Sequence, residues 1–198
     1  MKKIAICTII LLSVLVCKAD YDPLPLASLI NKSELIAECK IIAVQEMTVE
    51  LLVIEVIKGN TNETKITISK FRDWTCASRW SAYKVGQVEL LFLTKGSTNI
   101  WNTLGAGNEG DMPIQKDTLY YKEIYYRLDS VPKTYLLDEG IVTGYKYLLS
   151  DVKAGIKQYL KDELLIGKLI KLKTIRKYKT LNSFLERIIA ELKEIAYY

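Results

Sequence analysis

Four segments between residues 33 and 94 carry the apolar pattern of β-strands, and they limit the chain to a mainly β fold. The segments are 33–45, 48–58, 65–71 and 87–94, followed by a shorter one at 100–104. In the first two, both alternating sets of positions are apolar in mid-strand, so we expect a second layer to cover the outer face. We predict that six side chains on these strands are nearly inaccessible: Leu52, Ile54, Ile66, Ile68, Leu90 and Phe92.

The apolar period changes from two to about 3.6 near Ser150. Ser150 is a suitable N-cap, and a helical stripe of apolar residues follows it. A last helix is predicted from about Thr180, with Asn182 or Ser183 followed by Glu186 as its start signal. Because strands come first and helices last, we predict a mainly β barrel or sandwich with a C-terminal helical extension.

The predicted domain bounds follow from these patterns. Residues 117–147 hold seven of the 13 tyrosines and predict two or three further strands, the last of them at about 141–148. The β domain is therefore expected over 20–148 and the helical extension over 149–198.

The first 19 residues have the parts of a secretory signal peptide. Lys2 and Lys3 precede an apolar run at 4–16, which is too short to span a bilayer, and a small residue, Ala19, ends the segment. We expect cleavage after Ala19 and a secreted or periplasmic protein. An alternative is lipid attachment at Cys17, which would tether the chain to a membrane.

Charge and composition exclude several functional classes. The chain has no histidine, which removes the Ser-His-Asp triad, the Cys-His dyad and every His-ligated metal site. Removal of residues 1–19 would leave 25 basic against 23 acidic residues, so the mature protein lacks the basic excess of a nucleic-acid-binding protein. We predict no catalytic residue and no cofactor, although an enzyme of a histidine-free type stays open.

Two cysteines remain after the predicted cleavage, Cys39 and Cys76. In an oxidising compartment they are expected to form a disulfide. The alternative is two separate thiols, one of them in the core. Two cysteines without histidine do not match the ligand sets of zinc sites, so no metal is predicted.

The order of several short motifs resembles a known family. Ser33-Glu-Leu-Ile-Ala-Glu-Cys39 and Val53-Ile-Glu-Val-Ile-Lys-Gly59 are followed by Ile66-Thr-Ile68, Cys76, Val85-Gly-Gln87 and Leu90-Leu-Phe-Leu93. Over residues 28 to about 115, this order resembles the OB-fold barrels of netrin modules and tissue inhibitors of metalloproteinases, as they occur in exported bacterial proteins of unknown role. The resemblance implies an OB-like barrel and an inhibitor-like role. The animal inhibitors begin with a zinc-binding cysteine, whereas cleavage here would leave Asp20 first, so no inhibitory residue is carried over.

An aromatic connection at 73–86 is the first candidate for a recognition surface. Trp74, Arg79, Trp80 and Tyr83 could stack on a sugar or a peptide, with the arginine as a cation–π partner. The alternative is that the tryptophans plug the barrel.

Two other segments carry candidate binding groups. The glycine-rich turn at 105–111 holds Asn108, Glu109 and Asp111, which could bind calcium if the segment is not simply a tight turn. The segment from Lys168 to Lys179 has six basic residues and no acid, so it could lie on an anionic membrane, or it could be an ordinary solvated surface.

Together these patterns predict an exported, non-enzymatic binding protein whose partner is an unidentified protein or glycan. The alternative is an envelope-tethered structural protein, held through Cys17 or through the basic C-terminal segment.

Overall fold

The computed structural model describes residues 23–74, 77–96, 99–106, 109–122 and 131–197. The strands are β1 (Leu35–Val44), β2 (Thr48–Lys58), β3 (Lys65–Ser69), β4 (Val88–Lys95), β5 (Trp101–Thr103), β6 (Asp111–Gln115), β7 (Thr118–Lys122), β8 (Lys133–Leu136) and β9 (Ile141–Leu148). The helices are α1 (Leu26–Lys32), α2 (Leu149–Lys171) and α3 (Ser183–Tyr197), with a short 3₁₀ turn at Ile175–Lys177.

The first five strands form a closed barrel. They follow the order β1-β2-β3-β5-β4, and β4 pairs back onto β1 to complete the ring. The β3–β5 contact at Ile68 and Trp101 is parallel, whereas the other barrel pairs are antiparallel. This closed five-stranded barrel with helices at the C-terminus confirms the predicted mainly β, OB-like class.

Strands β6 to β9 extend the sheet outward from β4. One edge of β4 pairs with β1, while the other pairs first with β6 and then with β5. Strand β6 was not predicted, because Pro113 in its middle is unfavourable for a strand with neighbours. Its pairing with β7 involves only Ile114 and Gln115, so the proline faces a single partner strand, β4.

Strands β1 and β4 form a wall between two apolar cores. One set of their side chains lines the barrel and is fully buried: Leu35, Ala37, Cys39, Ile41, Leu91 and Leu93. The alternate set, including Ile36, Leu90 and Phe92, packs under the three helices. The helices therefore form the expected second layer over β1, whereas the outer face of β2 is partly exposed at Leu52 and Ile54.

On β2 the buried face is not the predicted one. Val49 and Leu51 are inaccessible inside the barrel, whereas Leu52 is 37% and Ile54 is 50% exposed. The other four predicted core residues, Ile66, Ile68, Leu90 and Phe92, are buried as expected. The error on β2 arises because both faces of this strand are apolar, so the alternation did not determine which face turns inward.

The start of α3 and the start of α2 pack closely together. The Asn182 side chain accepts a hydrogen bond from the Leu185 amide at 2.8 Å and donates one to the Asp151 carbonyl at 2.8 Å. Asn182 is therefore the N-cap of α3, as predicted. Gly155 permits the approach, since a Cβ there would lie 2.5 Å from Asn182 Oδ1. The predicted cap at Ser150 is wrong, because α2 begins at Leu149 with no side-chain cap.

Ion pairs attach α2 to the barrel wall. Lys153 Nζ contacts Glu38 Oε2 at 2.5 Å and Glu55 Oε2 at 2.7 Å, and Lys157 reaches the other oxygen of Glu55. Among the described residues, none of the helices has the length and apolar content needed to cross a bilayer.

Candidate functional site

Arg79 lies at the end of the barrel where β4 begins. Its guanidinium forms ion pairs with Glu89 and, at 2.7 Å, with Asp111 Oδ2. Glu89 lies on the same face of β4 as Leu91 and Leu93, so its side chain continues the barrel interior. All three charged side chains are at least nine-tenths buried. Arg79, a candidate cation–π partner for a ligand, is thus a buried charge that is paired with two carboxylates.

Two aromatic rings flank this guanidinium. The Arg79 Cζ atom lies 3.9 Å from the centre of the Tyr83 ring and 4.9 Å from that of Trp80. Burial and the nearby Asp111 carboxylate raise the pKa of Tyr83 to about 12, and its hydroxyl accepts a hydrogen bond from the Phe71 amide. Tyr83 is therefore a neutral ring that supports the connection between β3 and β4.

The buried cluster holds two carboxylates for one guanidinium. Glu89 Oε2 and Asp111 Oδ1 have no hydrogen-bond partner among the described residues. Buried carboxylate oxygens without donors are unfavourable, so this cluster depends on Arg79 for its stability.

A cleft of about 370 Å³ opens beside this cluster. Its apolar walls come from Trp80, Val85, Val88, Ile114 and Leu137. Its charged rim is formed by Lys116 from the β6–β7 hairpin and by Asp138 and Glu139 from the turn before β9. The cleft thus combines an apolar interior with two acids and one base, which is the usual composition of a small ligand site.

Gln87 connects the cleft to the buried cluster. Its amide nitrogen donates to Glu139 Oε2 at 2.6 Å and to Ser81 Oγ at 2.8 Å. Its amide oxygen accepts from the Lys84 backbone at 3.1 Å and lies 3.4 Å from Arg79 Nη1. Because Gln87 is itself buried, these bonds hold the rim carboxylate of Glu139 in position before any ligand arrives.

Trp80 is the wall residue with an unused polar group. It is 9% exposed, and its indole Nε1 has no hydrogen-bond partner among the residues that the structure describes. Gly140 packs tightly against Trp80, since a Cβ on this glycine would lie 2.3 Å from the Trp80 carbonyl oxygen. The turn that carries Asp138 and Glu139 is therefore fixed against the tryptophan.

The structure brings together three of the four residues predicted for the aromatic loop. Arg79, Trp80 and Tyr83 form one cluster, whereas Trp74 is 48% exposed and pairs through its backbone with Ala77. Lys116, Asp138 and Glu139 were not predicted as site residues. The glycine after Glu139 marks a turn in the sequence, but no local pattern indicates that this turn packs on Trp80.

Two of the three candidate residues in the glycine-rich turn make contacts within the protein. Asn108 lies outside the described residues. The Glu109 carboxylate accepts a hydrogen bond from the Leu24 amide at 3.2 Å, while Asp111 pairs with Arg79. Gly105 has a φ of +74°, the conformation expected of a tight turn. Within the described part of the chain, no group of three His, Cys, Asp or Glu residues could hold a metal.

Cys39 is a free thiol inside the barrel. Burial, with a smaller effect of Glu38, raises its pKa to about 12. The structure therefore does not contain the predicted bridge to Cys76, a residue outside the described ranges. The side chain of Cys39 points into the apolar interior of the barrel, which agrees with the alternative of a core thiol. Cys17 and the predicted signal peptide also lie outside the described ranges.

No protein-family model matches this chain, and a search of curated proteins gives no match. The barrel is thus known from the structure, and the resemblance to netrin modules and metalloproteinase inhibitors stays a prediction from strand order and spacing.

Proposed function

We propose that this chain is an exported, non-enzymatic binding protein that holds its ligand in the cleft beside Trp80. The observation that carries the proposal is the cleft itself, whose rim carboxylate is fixed through Gln87 to the buried Arg79 cluster. A site held in its binding geometry loses less entropy when a ligand binds. The signal-peptide pattern in residues 1–19 supports export.

The charges of the rim favour a ligand with an apolar body and a cationic group. Asp138 and Glu139 contribute two negative charges, and Lys116 contributes one positive charge. Val85, Leu137 and Ile114 offer apolar contact beside them. A short peptide segment with a basic and an aliphatic side chain matches this surface, and such a segment on a protein partner would give the chain an inhibitor-like or adaptor role.

Synthetic peptides test this proposal directly. Fluorescently labelled peptides of leucine and arginine are titrated with the mature protein, and peptides of leucine and glutamate serve as the charge control. We expect the basic peptides to bind. Glu139→Gln should lower their affinity by about tenfold, because it removes one negative charge of the rim. Glu63→Gln, an exposed acid in the β2–β3 connection, is the matched control and should leave the affinity unchanged.

Absence of binding by every basic peptide would contradict the proposed ligand class. Equal affinity of the Glu139→Gln variant and the wild type would show that the cleft is not the site.

A further inference from the structure

The exposed end of α2 carries leucines and lysines on one face. Leu164 is 90% exposed, Lys168 and Lys171 follow it at helical spacing, and Leu172 is 59% exposed just after the helix. Residues three and four apart share a helix face, so these four side chains point to the same side. We define the α2 terminal surface as Leu164, Leu165, Lys168, Lys171, Leu172 and Lys173.

The opposite face of α2 is in the core, which fixes the orientation of this surface. Val152, Ile156, Tyr159 and Ile166 are all at most 3% exposed. The leucines of the α2 terminal surface are therefore turned away from the core because the helix has already buried its other stripe. Exposed leucines at this density are unusual on a surface that contacts only water.

The backbone after α2 holds Leu172 and Lys173 in place. The Lys173 amide bonds to the Ile170 carbonyl at 2.9 Å, and the Thr174 amide bonds to the Leu169 carbonyl at 2.8 Å. This is the hydrogen-bond pattern of a Schellman motif, in which the left-handed position is usually glycine. Here that position is Lys173, with a φ of +54°. A basic side chain thus occupies a position where glycine would fit better.

The surrounding charge is one-sided. No acidic residue occurs from Leu164 to Leu185, whereas six basic residues do. Glu163 and Asp162 lie just before this stretch, and Asp162 accepts hydrogen bonds from Tyr178 and Gln158. A groove of about 520 Å³ borders the same surface, with Ile166, Ile170 and Leu192 among its apolar lining. Its charged lining residues are Lys168, Lys171 and Glu163.

We propose that the α2 terminal surface docks on an anionic lipid bilayer. Lysines on such a surface are attracted to acidic headgroups, and exposed leucines between them enter the boundary with the acyl chains. The positive charge of the lysines complements anionic headgroups. The exposed leucines favour a partner that has an apolar layer beneath its charges, as a bilayer does. This inference is independent of the cleft, which lies among β4, β6 and the turn before β9.

The test is co-sedimentation of the mature protein with lipid vesicles. Vesicles of phosphatidylcholine alone are compared with vesicles of phosphatidylcholine and phosphatidylglycerol, at low and high salt. We expect binding to the anionic vesicles only, with loss at high salt. Lys168→Glu with Lys171→Glu, and separately Leu164→Ser with Leu172→Ser, should each reduce binding by about tenfold or more.

Matched controls come from the barrel surface. Ile54→Ser changes a half-exposed apolar residue on β2, and Lys65→Glu reverses an exposed lysine at the start of β3. Both should bind vesicles as the wild type does. Lys173→Gly is a further variant, because it relieves the positive φ while it removes a charge. It should bind about fivefold more weakly and keep at least the wild-type melting temperature.

Three results would overturn the proposal. The first is no difference between anionic and neutral vesicles. The second is equal weakening by the barrel controls. The third is wild-type binding by the double serine variant together with full competition by soluble heparin, which would identify a polyanion partner in place of a bilayer.

Discussion

The amide of Leu26 donates a hydrogen bond at 2.8 Å to Glu191 Oε2, which joins α1 to the last helix across 165 positions of sequence. The other oxygen of Glu191 accepts from the Tyr121 hydroxyl at 3.0 Å and from Arg187 Nε at 3.1 Å. A single carboxylate, 1% exposed, thus receives donors from α1, from β7 and from its own helix. Helix α1, which begins at Leu26, is therefore part of the core that α2 and α3 enclose.

Glu191→Gln is expected to destabilise the fold. All three neighbours are donors, and both carboxyl oxygens keep acceptor lone pairs whether or not the group is protonated. A glutamine offers one acceptor oxygen, so its NH2 group would face at least one donor. We expect a loss of about 1–3 kcal/mol in the free energy of unfolding, measured by urea denaturation at neutral pH. The control is Glu194→Gln, which lies one turn later in α3 and is only partly buried. It should change this free energy by less than about 0.5 kcal/mol.

The same residue predicts a pH dependence. Burial raises the pKa of Glu191 above its usual value of 4.5, against the opposing effects of Leu26, Arg187 and Tyr121. The native state then binds more protons than the unfolded state above pH 4.5, so the contribution of Glu191 is fully present below that pH and is lost as the pH rises through the raised pKa. The stability difference between wild type and Glu191→Gln should therefore fall as the pH rises from 4.5. A difference that grows with pH would contradict the raised pKa.

Arg79→Met tests the buried cluster at the barrel end. The variant leaves Glu89 and Asp111 buried without their guanidinium, and we expect a loss of about 3–5 kcal/mol in unfolding free energy. Adding Glu89→Gln and Asp111→Asn to the same chain removes both charges and should recover part of that loss. A cost below about 1 kcal/mol for Arg79→Met alone would show that the ion pairs do not support the barrel.

Truncation on β2 tests which face of the strand is buried. Leu51→Ala should cost about 2–5 kcal/mol, because it leaves a cavity in the barrel, whereas Ile54→Ala on the exposed face should cost less than about 1 kcal/mol. Chemical denaturation of the two variants in parallel gives both values. The reverse order would contradict the register of β1 and β2.

The wrong prediction of the buried face of β2 shows what the periodicity of the sequence does not determine. The bounds of β2 and β9 follow the predicted 48–58 and 141–148, because strong β-formers end there at turn residues or at a change of period. The inward face of β2 depends instead on its pairing with β1, which shifts register at three places. Such bulges are set by tertiary contacts, and no alternation within one strand contains that information.

The candidate site was predictable only in part, for a similar reason. The concentration of aromatics at 73–86 indicated Trp80 and Tyr83 as site residues. The burial of Arg79 follows from Glu89 and Asp111, which lie on two neighbouring strands and meet it only after the barrel closes. Asp138 and Glu139 join the cleft because Gly140 allows their turn to approach Trp80, a contact between distant segments.

Cys39 is expected to resist modification in the native protein. Its thiol is buried and its pKa is raised to about 12, so little thiolate is present or accessible at neutral pH. Native protein treated with iodoacetamide and digested should yield unmodified Cys39, and the same treatment after unfolding should modify it fully. A Cys39–Cys76 peptide pair in the non-reduced digest would instead establish the disulfide that the sequence suggested.

The indole proton of Trp80 gives the most direct measurement of ligand binding in the cleft. Its Nε1 group is buried without a partner among the described residues, and Trp80 lines the cleft. Its proton resonance therefore reports changes in the packing or polarity of that wall when a ligand binds. The resonance is assigned in ¹⁵N-labelled protein with a Trp80→Phe variant and followed during titration with the leucine–arginine peptide. The account predicts a saturable shift of this resonance that Glu139→Gln weakens. Binding that shifts the Trp74 resonance and leaves that of Trp80 unchanged would contradict it.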